Sequence, residues 1–179
     1  LLIFGLALPL QAEDSVFNAG AARVDATPEH LPAVVNGSML ERLVEEVNDP
    51  LHVRAVVMDD GTTKIAMVLV DSCMMPRDLL DKAKKMAEAQ TGIPAENILV
   101  SATHCHSAPS VIAVLGTGVD ERYVAFLPGR IAKAIELANE NLQPARIGFA
   151  MGRDEVNVAT RRWLMKEGVS PTNRFGGTR

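Results

Sequence analysis

The sequence predicts an α/β fold, a mixed sheet with βαβ crossover units flanked by helices. Two observations carry this. Residues 52–58 are rich in valine, Lys64–Val70 is nearly all apolar, and Asp59-Asp60-Gly61 between them is a strong turn signal, so the pair reads as an antiparallel hairpin. A helical pattern then leads into the short apolar run Ile98–Ala102. Strand, helix, strand in that order is a βαβ unit, so 64–70 and 98–102 should lie parallel with a right-handed crossover.

The elements follow in order. The near-continuous apolar run of 64–70 predicts burial on both faces. Asp78 is placed to cap a helix reaching about Gln90, with Leu79, Leu80, Ala83, Met86 and Ala87 at helical spacing. Lys82, Lys84, Lys85 and Glu88 form its solvated side, and Gly92 and Pro94 end it. Asp120 opens a second helix to about Asn141, with Tyr123, Phe126, Leu127, Ile131, Ile135 and Ala138 along one face. Pro128 should kink or divide that helix. Pro144 closes it, and 146–150 is a fourth strand candidate. From Met151 the pattern weakens, and 169–179, with Pro, Asn and Gly and no apolar partner, reads as interrupted rather than finished.

A length of 179 residues suffices for one α/β domain with a core. A charge of −4, no arginine-rich run and only 4% aromatics exclude a nucleic-acid-binding surface. Residues 1–10 (LLIFGLALPL) are too short an apolar run to span a bilayer, which takes roughly 20 residues. With Gln11 and Ala12 before an acidic pair, residues 1–12 read as the remnant of a secretory signal, and the protein as exported, periplasmic or extracellular. The cysteines, Cys73 and Cys105, read as free buried thiols rather than a disulfide framework.

The chemistry concentrates in Thr103-His104-Cys105-His106-Ser107-Ala108-Pro109, directly after a strand, where open α/β sheets place ligands. If the strand runs through them, His104 and His106 face the same side. Two imidazoles on one side can share a metal, or one can bind it while the other moves protons near neutral pH. A His-x-His pair also occurs in ordinary loops. Cys105 should point the other way as a small buried residue. Asp71 ends the neighbouring strand, where its carboxylate could orient an imidazole or serve as a turn or capping residue. Arg161-Arg162 could hold an oxyanion or form surface charge. His30, His52 and Trp163 read as structural.

Together, Ala21-Ala22-Arg23-Val24-Asp25-Ala26-Thr27-Pro28, Leu51-His52-Val53-Arg54-Ala55, Val68-Leu69-Val70-Asp71 and the stretch from Glu96 through the Thr-His-x-His-Ser box occur in an order that resembles the neutral/alkaline non-lysosomal ceramidases, in a bacterial branch, at their N-terminal catalytic domain. The resemblance ends near Arg162. It implies that 13–179 is the N-terminal part of a ceramidase-like zinc hydrolase and so part of a larger catalytic domain. It implies His104 as a zinc ligand, His106 as an active-site residue beside the metal, and Arg161, in a register uncertain by about one residue, as a further catalytic residue. The family's other zinc ligands, a histidine, a glutamate and a tyrosine, would lie beyond residue 179, so this stretch alone is expected to bind Zn2+ weakly and to be inactive. The implied reaction converts N-acylsphingosine to a fatty acid and a sphingoid base. The implied partners are a lipid-like N-acyl amide and, with it, a membrane surface.

The family box continues Ser-Gly-Pro-Gly-Gly. Here Ser107-Ala108-Pro109-Ser110-Val111 follows, and Cys105 stands where threonine is usual. Side chains in place of glycines should narrow or reshape the mouth of the site. A related metallohydrolase acting on another amide or ester, and a non-catalytic exported domain of the same fold, therefore stand as alternatives.

Overall fold

The computed structural model describes residues 16–156 and Lys166. Along the chain run strands β1 (Asn18–Asp25), β2 (Ala33–Val35), β3 (Arg42–Val44), β4 (His52–Asp59) and β5 (Lys64–Val70), helix α1 (Arg77–Thr91), strand β6 (Ile98–Ala102), helix α2 (Glu121–Glu140) and the short β7 (Gln143–Pro144). The main sheet has the order β6-β5-β4-β1-β7, and β2 pairs with β3 apart from it. The β4–β5 hairpin is antiparallel from Val53↔Val70 to Asp59↔Lys64. Strands β5 and β6 are parallel from Ala66↔Ile98 to Val70↔Ala102, so the mixed sheet and its βαβ unit are present. Residues 147–156, which form a separate unit of the chain, carry no helix or strand.

The β4–β5 turn is made by its own side chains. Asp60 Oδ1 accepts from the Thr62 and Thr63 amides, Asp59 Oδ1 accepts from Gly61, and Gly61 takes φ 85°. A left-handed residue here needs glycine.

One face of the sheet is buried under the helices. Ala66, Val68 and Val70 of β5 point into the core, while Ile65, Met67 and Leu69 alternate outward and stay exposed. The expectation of burial on both faces therefore fails: among the described residues, α1 and α2 both pack on the same side. Leu127, Ile131 and Ile135 of α2 are fully buried there. Each such side chain contributes on the order of 2 kcal/mol.

Helix α1 begins without a side-chain cap. Pro76 occupies the cap position and Asp78 lies inside the first turn, so Asp78 is not the cap but an acidic group at the positive end of the helix. Gly92 closes α1 in the left-handed conformation, its amide donating to Glu88. Asp120 does cap α2, accepting from the Tyr123 amide at 3.1 Å. Pro128 does not divide α2, which runs unbroken from Glu121 to Glu140. Its buried face holds the turn together despite the missing N–H. No strand forms at 146–150. Instead β7 at Gln143–Pro144 adds to β1.

Strand β1, built from Asn18-Ala-Gly-Ala-Ala-Arg-Val-Asp, is central, pairing with both β4 and β7. Its small residues let α2 approach closely. A Cβ added at Gly20 would strike the Ala138 carbonyl and lie 2.7 Å from Asn141 C and 2.8 Å from Leu142 N.

Tyr123 ties α2 to the segment after β1, its buried hydroxyl donating to the Ala26 carbonyl at 2.7 Å. Burial first, then the Asp71 and Asp25 carboxylates, pushes the phenol well above its ordinary range. A value raised in the folded state gives stability that is fully present below the unfolded phenol's pKa of about 10 and lost as pH rises beyond it. Tyr123→Phe should cost about 1 kcal/mol at neutral pH and flatten the decline above about pH 10. Urea unfolding at pH 7 and pH 10.5 checks both. An undiminished alkaline decline in the variant would assign it to other groups.

Candidate functional site

Because β5 and β6 are parallel, their carboxyl ends adjoin, bringing the 71–73 turn against the histidine box. The Thr103 amide donates to the Val70 carbonyl at 2.9 Å, and the Cys105 amide to the Ser72 carbonyl at 3.1 Å. His104, between them, has φ 63°. The strand ends at Ala102, so the histidines do not share a side by strand alternation. The left-handed turn at His104 brings the rings together instead, 4.6 Å apart and edge to face. For a residue with a Cβ this conformation costs on the order of 1–2 kcal/mol, a strain typical of functional sites.

A hydrogen bond helps to hold it. His104 Nδ1 lies 2.8 Å from the Cys73 carbonyl, and since a carbonyl only accepts, Nδ1 carries the proton. Nε2 is left with a lone pair. A backbone carbonyl on one ring nitrogen is the usual way a metal-binding imidazole is fixed in tautomer and orientation. That carbonyl takes the part sketched for Asp71. Asp71 does not orient His104, and it caps no helix. It accepts from the His52 amide at 2.9 Å and from Arg54 Nη1 at 2.9 and 3.0 Å.

Cys73 supplies more than its carbonyl. Its Sγ lies 3.8 Å from His104 Nδ1, and Cys73, His104 and His106 each offer a donor atom within 4.8 Å of the others. Donors of one tetrahedral zinc ion sit about 3.5 Å apart, so a small contraction would bring the three onto a shared ion. Two imidazoles and a sulfur suit zinc or cobalt better than magnesium or calcium. These residues could hold a metal ion. Burial, and secondarily Cys105, pushes the Cys73 thiol up, so it is a thiol that a bound cation would have to deprotonate.

The cysteines are free, as expected, but only Cys73 is buried. Cys105 is partly exposed, its Sγ 3.3 Å from Ser107 Oγ.

His106 is braced by the β2–β3 hairpin. Beyond β2, the Asn36 amide donates to Ala108 and the Ser110 amide donates back to Val34. Arg42 Nη2 donates to the His106 carbonyl at 2.9 Å. Gly37, at φ 97°, packs directly on His106, where an added Cβ would lie 2.5 Å from His106 Cβ and 2.8 Å from its Cα. In the full-length protein, Gly37→Ala should therefore displace His106 and weaken zinc binding about tenfold or more, with the helices intact by circular dichroism. Competition with a chromogenic chelator measures it, and unchanged affinity would place His106 outside the metal site.

Ala108, Ser110 and Val111 pack into the fold behind the box. All are buried, and Ser110 Oγ donates within the fold, to the Gly118 carbonyl at 2.7 Å. His30 lines a separate cavity and His52 opens β4, so neither reaches the box. Arg161, Arg162, Trp163 and the leader-like residues 1–12 lie outside the described residues. Sequence reasoning missed Cys73, Gly37 and Arg42. For Cys73 a signal existed, its place just past the strand that neighbours the box. Gly37 and Arg42 act from a hairpin that had no sequence signature.

No family model matches the chain. Solved structures do, two ceramidases among them. The neutral ceramidase from Pseudomonas aeruginosa matches with TM-score 0.65 and 23% identity, over 74% of this chain and 23% of that one. A ceramidase complexed with C2 matches with TM-score 0.62 and 25% identity, over 73% of this chain and 22% of that one. The chain spans less than a quarter of the length of these ceramidase chains. Its fold is thus distantly related to that of the neutral/alkaline ceramidases.

Proposed function

We propose that this chain carries the metal-binding part of an exported, zinc-dependent amide hydrolase acting on a lipid-like N-acyl amide of the ceramide type. The observation that carries the reading is His104, strained, fixed through Nδ1 and clustered with His106 and Cys73. The ceramidase-like fold supports it. The leader-like residues 1–12 support export, and a lipid substrate would bring the protein to a membrane surface. No helix among the described residues is long and apolar enough to cross one.

A zinc ion held here would acidify a bound water toward pKa about 7 and polarise the amide carbonyl. His104 contributes the Nε2 lone pair. His106, at the exposed side of the cluster, is placed to hold the water's proton and pass it to the departing nitrogen. Arg161 is proposed to steady the developing oxyanion. The amide C–N bond breaks, oxygen from water bonds to the acyl carbon, and a carboxylate and an amine leave.

The test is cleavage of a fluorescent short-chain ceramide by the zinc-loaded full-length mature protein, with and without a chelator. Chelator-sensitive cleavage is the expected result. A folded protein with stoichiometric zinc and no cleavage would overturn the ceramide assignment in favour of another amide or ester. Absence of zinc binding would favour a non-catalytic domain.

A further inference from the structure

A cavity of about 390 Å3 lies beside the histidine box, roofed by residues 44–51. That volume falls in the range of small-molecule sites, roughly 300–1,000 Å3. Cys105 and Ser107, the chain neighbours of His106 on either side, both line it, which sets the cavity next to the cluster. Its walls are mixed, with an apolar part that includes Leu31, Val35, Val44 and Val47.

Its charge is one-sided. Glu46, Asp49 and Asp71 line it, and no lysine, arginine or histidine does. Asp71 is offset by Arg54. Glu46 and Asp49 have no cationic partner among the described residues. A cavity with an apolar wall and uncompensated carboxylates attracts an apolar chain that bears a positive charge and repels one that bears a negative charge.

We infer that this cavity receives the amine-bearing half of the substrate, an alkyl chain attached to the amide nitrogen, and that the acyl chain leaves by another route. This rests on the hydrolase reading above. Hydrolysis converts R–CO–NH–R′ and water into R–COO− and R′–NH3+. The nitrogen gains charge as the C–N bond breaks, so the carboxylates favour its departure into this cavity. The fatty carboxylate meets the same field with the opposite sign. The cavity is thereby a selector for amines, independent of which acyl group is removed.

The experiment measures binding, so it stands apart from turnover. Octylammonium and octanoate, both well below micelle-forming concentration, are titrated into the full chain, with 1-octanol as the neutral control and amide NMR shifts as the readout. Octylammonium should bind about fivefold or more tightly than octanoate, with shifts at Val44, Val47 and Cys105. The exposed pair Glu46→Gln and Asp49→Asn should erase most of that preference while 1-octanol binding is unchanged. His104→Ala should leave octylammonium binding intact. Equal binding of octanoate, no octylammonium binding, or a preference that survives the double variant would overturn the inference. Amine binding together with absent ceramide cleavage would uphold the cavity and reject only the substrate of the proposed reaction.

Discussion

In the full-length protein, His104→Ala should abolish stoichiometric zinc or cobalt binding, with at least about a hundredfold loss of affinity, and leave the fold in place. His104 is exposed, so its removal opens no enclosed cavity. What it removes is the imidazole fixed by the Cys73 carbonyl. A second substitution makes the test sharper. At φ 63° alanine retains the Cβ strain, whereas glycine does not. His104→Gly should therefore be more stable than His104→Ala by about 1 kcal/mol while being equally unable to bind metal. Calorimetric titration with zinc and urea unfolding of the metal-free variants give both numbers. A glycine variant no more stable than the alanine variant would show that no strain is held there. Unimpaired zinc binding by either would remove His104 from the site.

Gly20→Val should be the most destabilising single change in the sheet. The obstacle at Gly20 is backbone, the Ala138 carbonyl and the Asn141–Leu142 link at the end of α2, and none of it can rotate aside as a side chain would. Either α2 shifts away from β1 or the β1–β4 pairing breaks. Overpacking of this kind costs about 3 kcal/mol or more, a large share of a stability on the order of 5–15 kcal/mol. Thermal unfolding should show a drop of about 10 °C or loss of soluble protein. Gly20→Ala should fall between. A tolerated valine would mean that α2 sits further from β1 than the described packing.

The parts of this fold that were legible in sequence are those in which a local pattern agrees with the tertiary outcome. The β4–β5 hairpin, α1, β6 and α2 announce themselves through alternation, helical spacing, Asp-Gly and Gly-Pro signals. Strand β1 was illegible because its run Ala19-Gly20-Ala21-Ala22 lacks the β-branched residues that mark a strand, and Gly20 serves the closeness of a helix rather than strand propensity. The two-sided burial expected of β5 failed because hydrophobicity in a run shows apolarity, not how many layers cover it. The histidine box was found by its place after a strand, yet its geometry was read as alternation when a single left-handed residue sets it. Cys73, Gly37 and Arg42 reach the box across about 30 to 70 positions of sequence, a distance at which only parallel pairing and hairpin docking bring residues together.

The turn at Asp60 to Thr63 sits at the far end of β5 from Val70, so the sheet places it roughly 20 Å of strand away from the histidine loop. It is closed by its own side chains and borrows nothing from the site. Foreign sequence added there, whether a purification tag, a fluorophore or an attachment point for a solid support, would be carried without disturbing the histidines, and the same addition in the 34–44 hairpin would be felt by His106 at once.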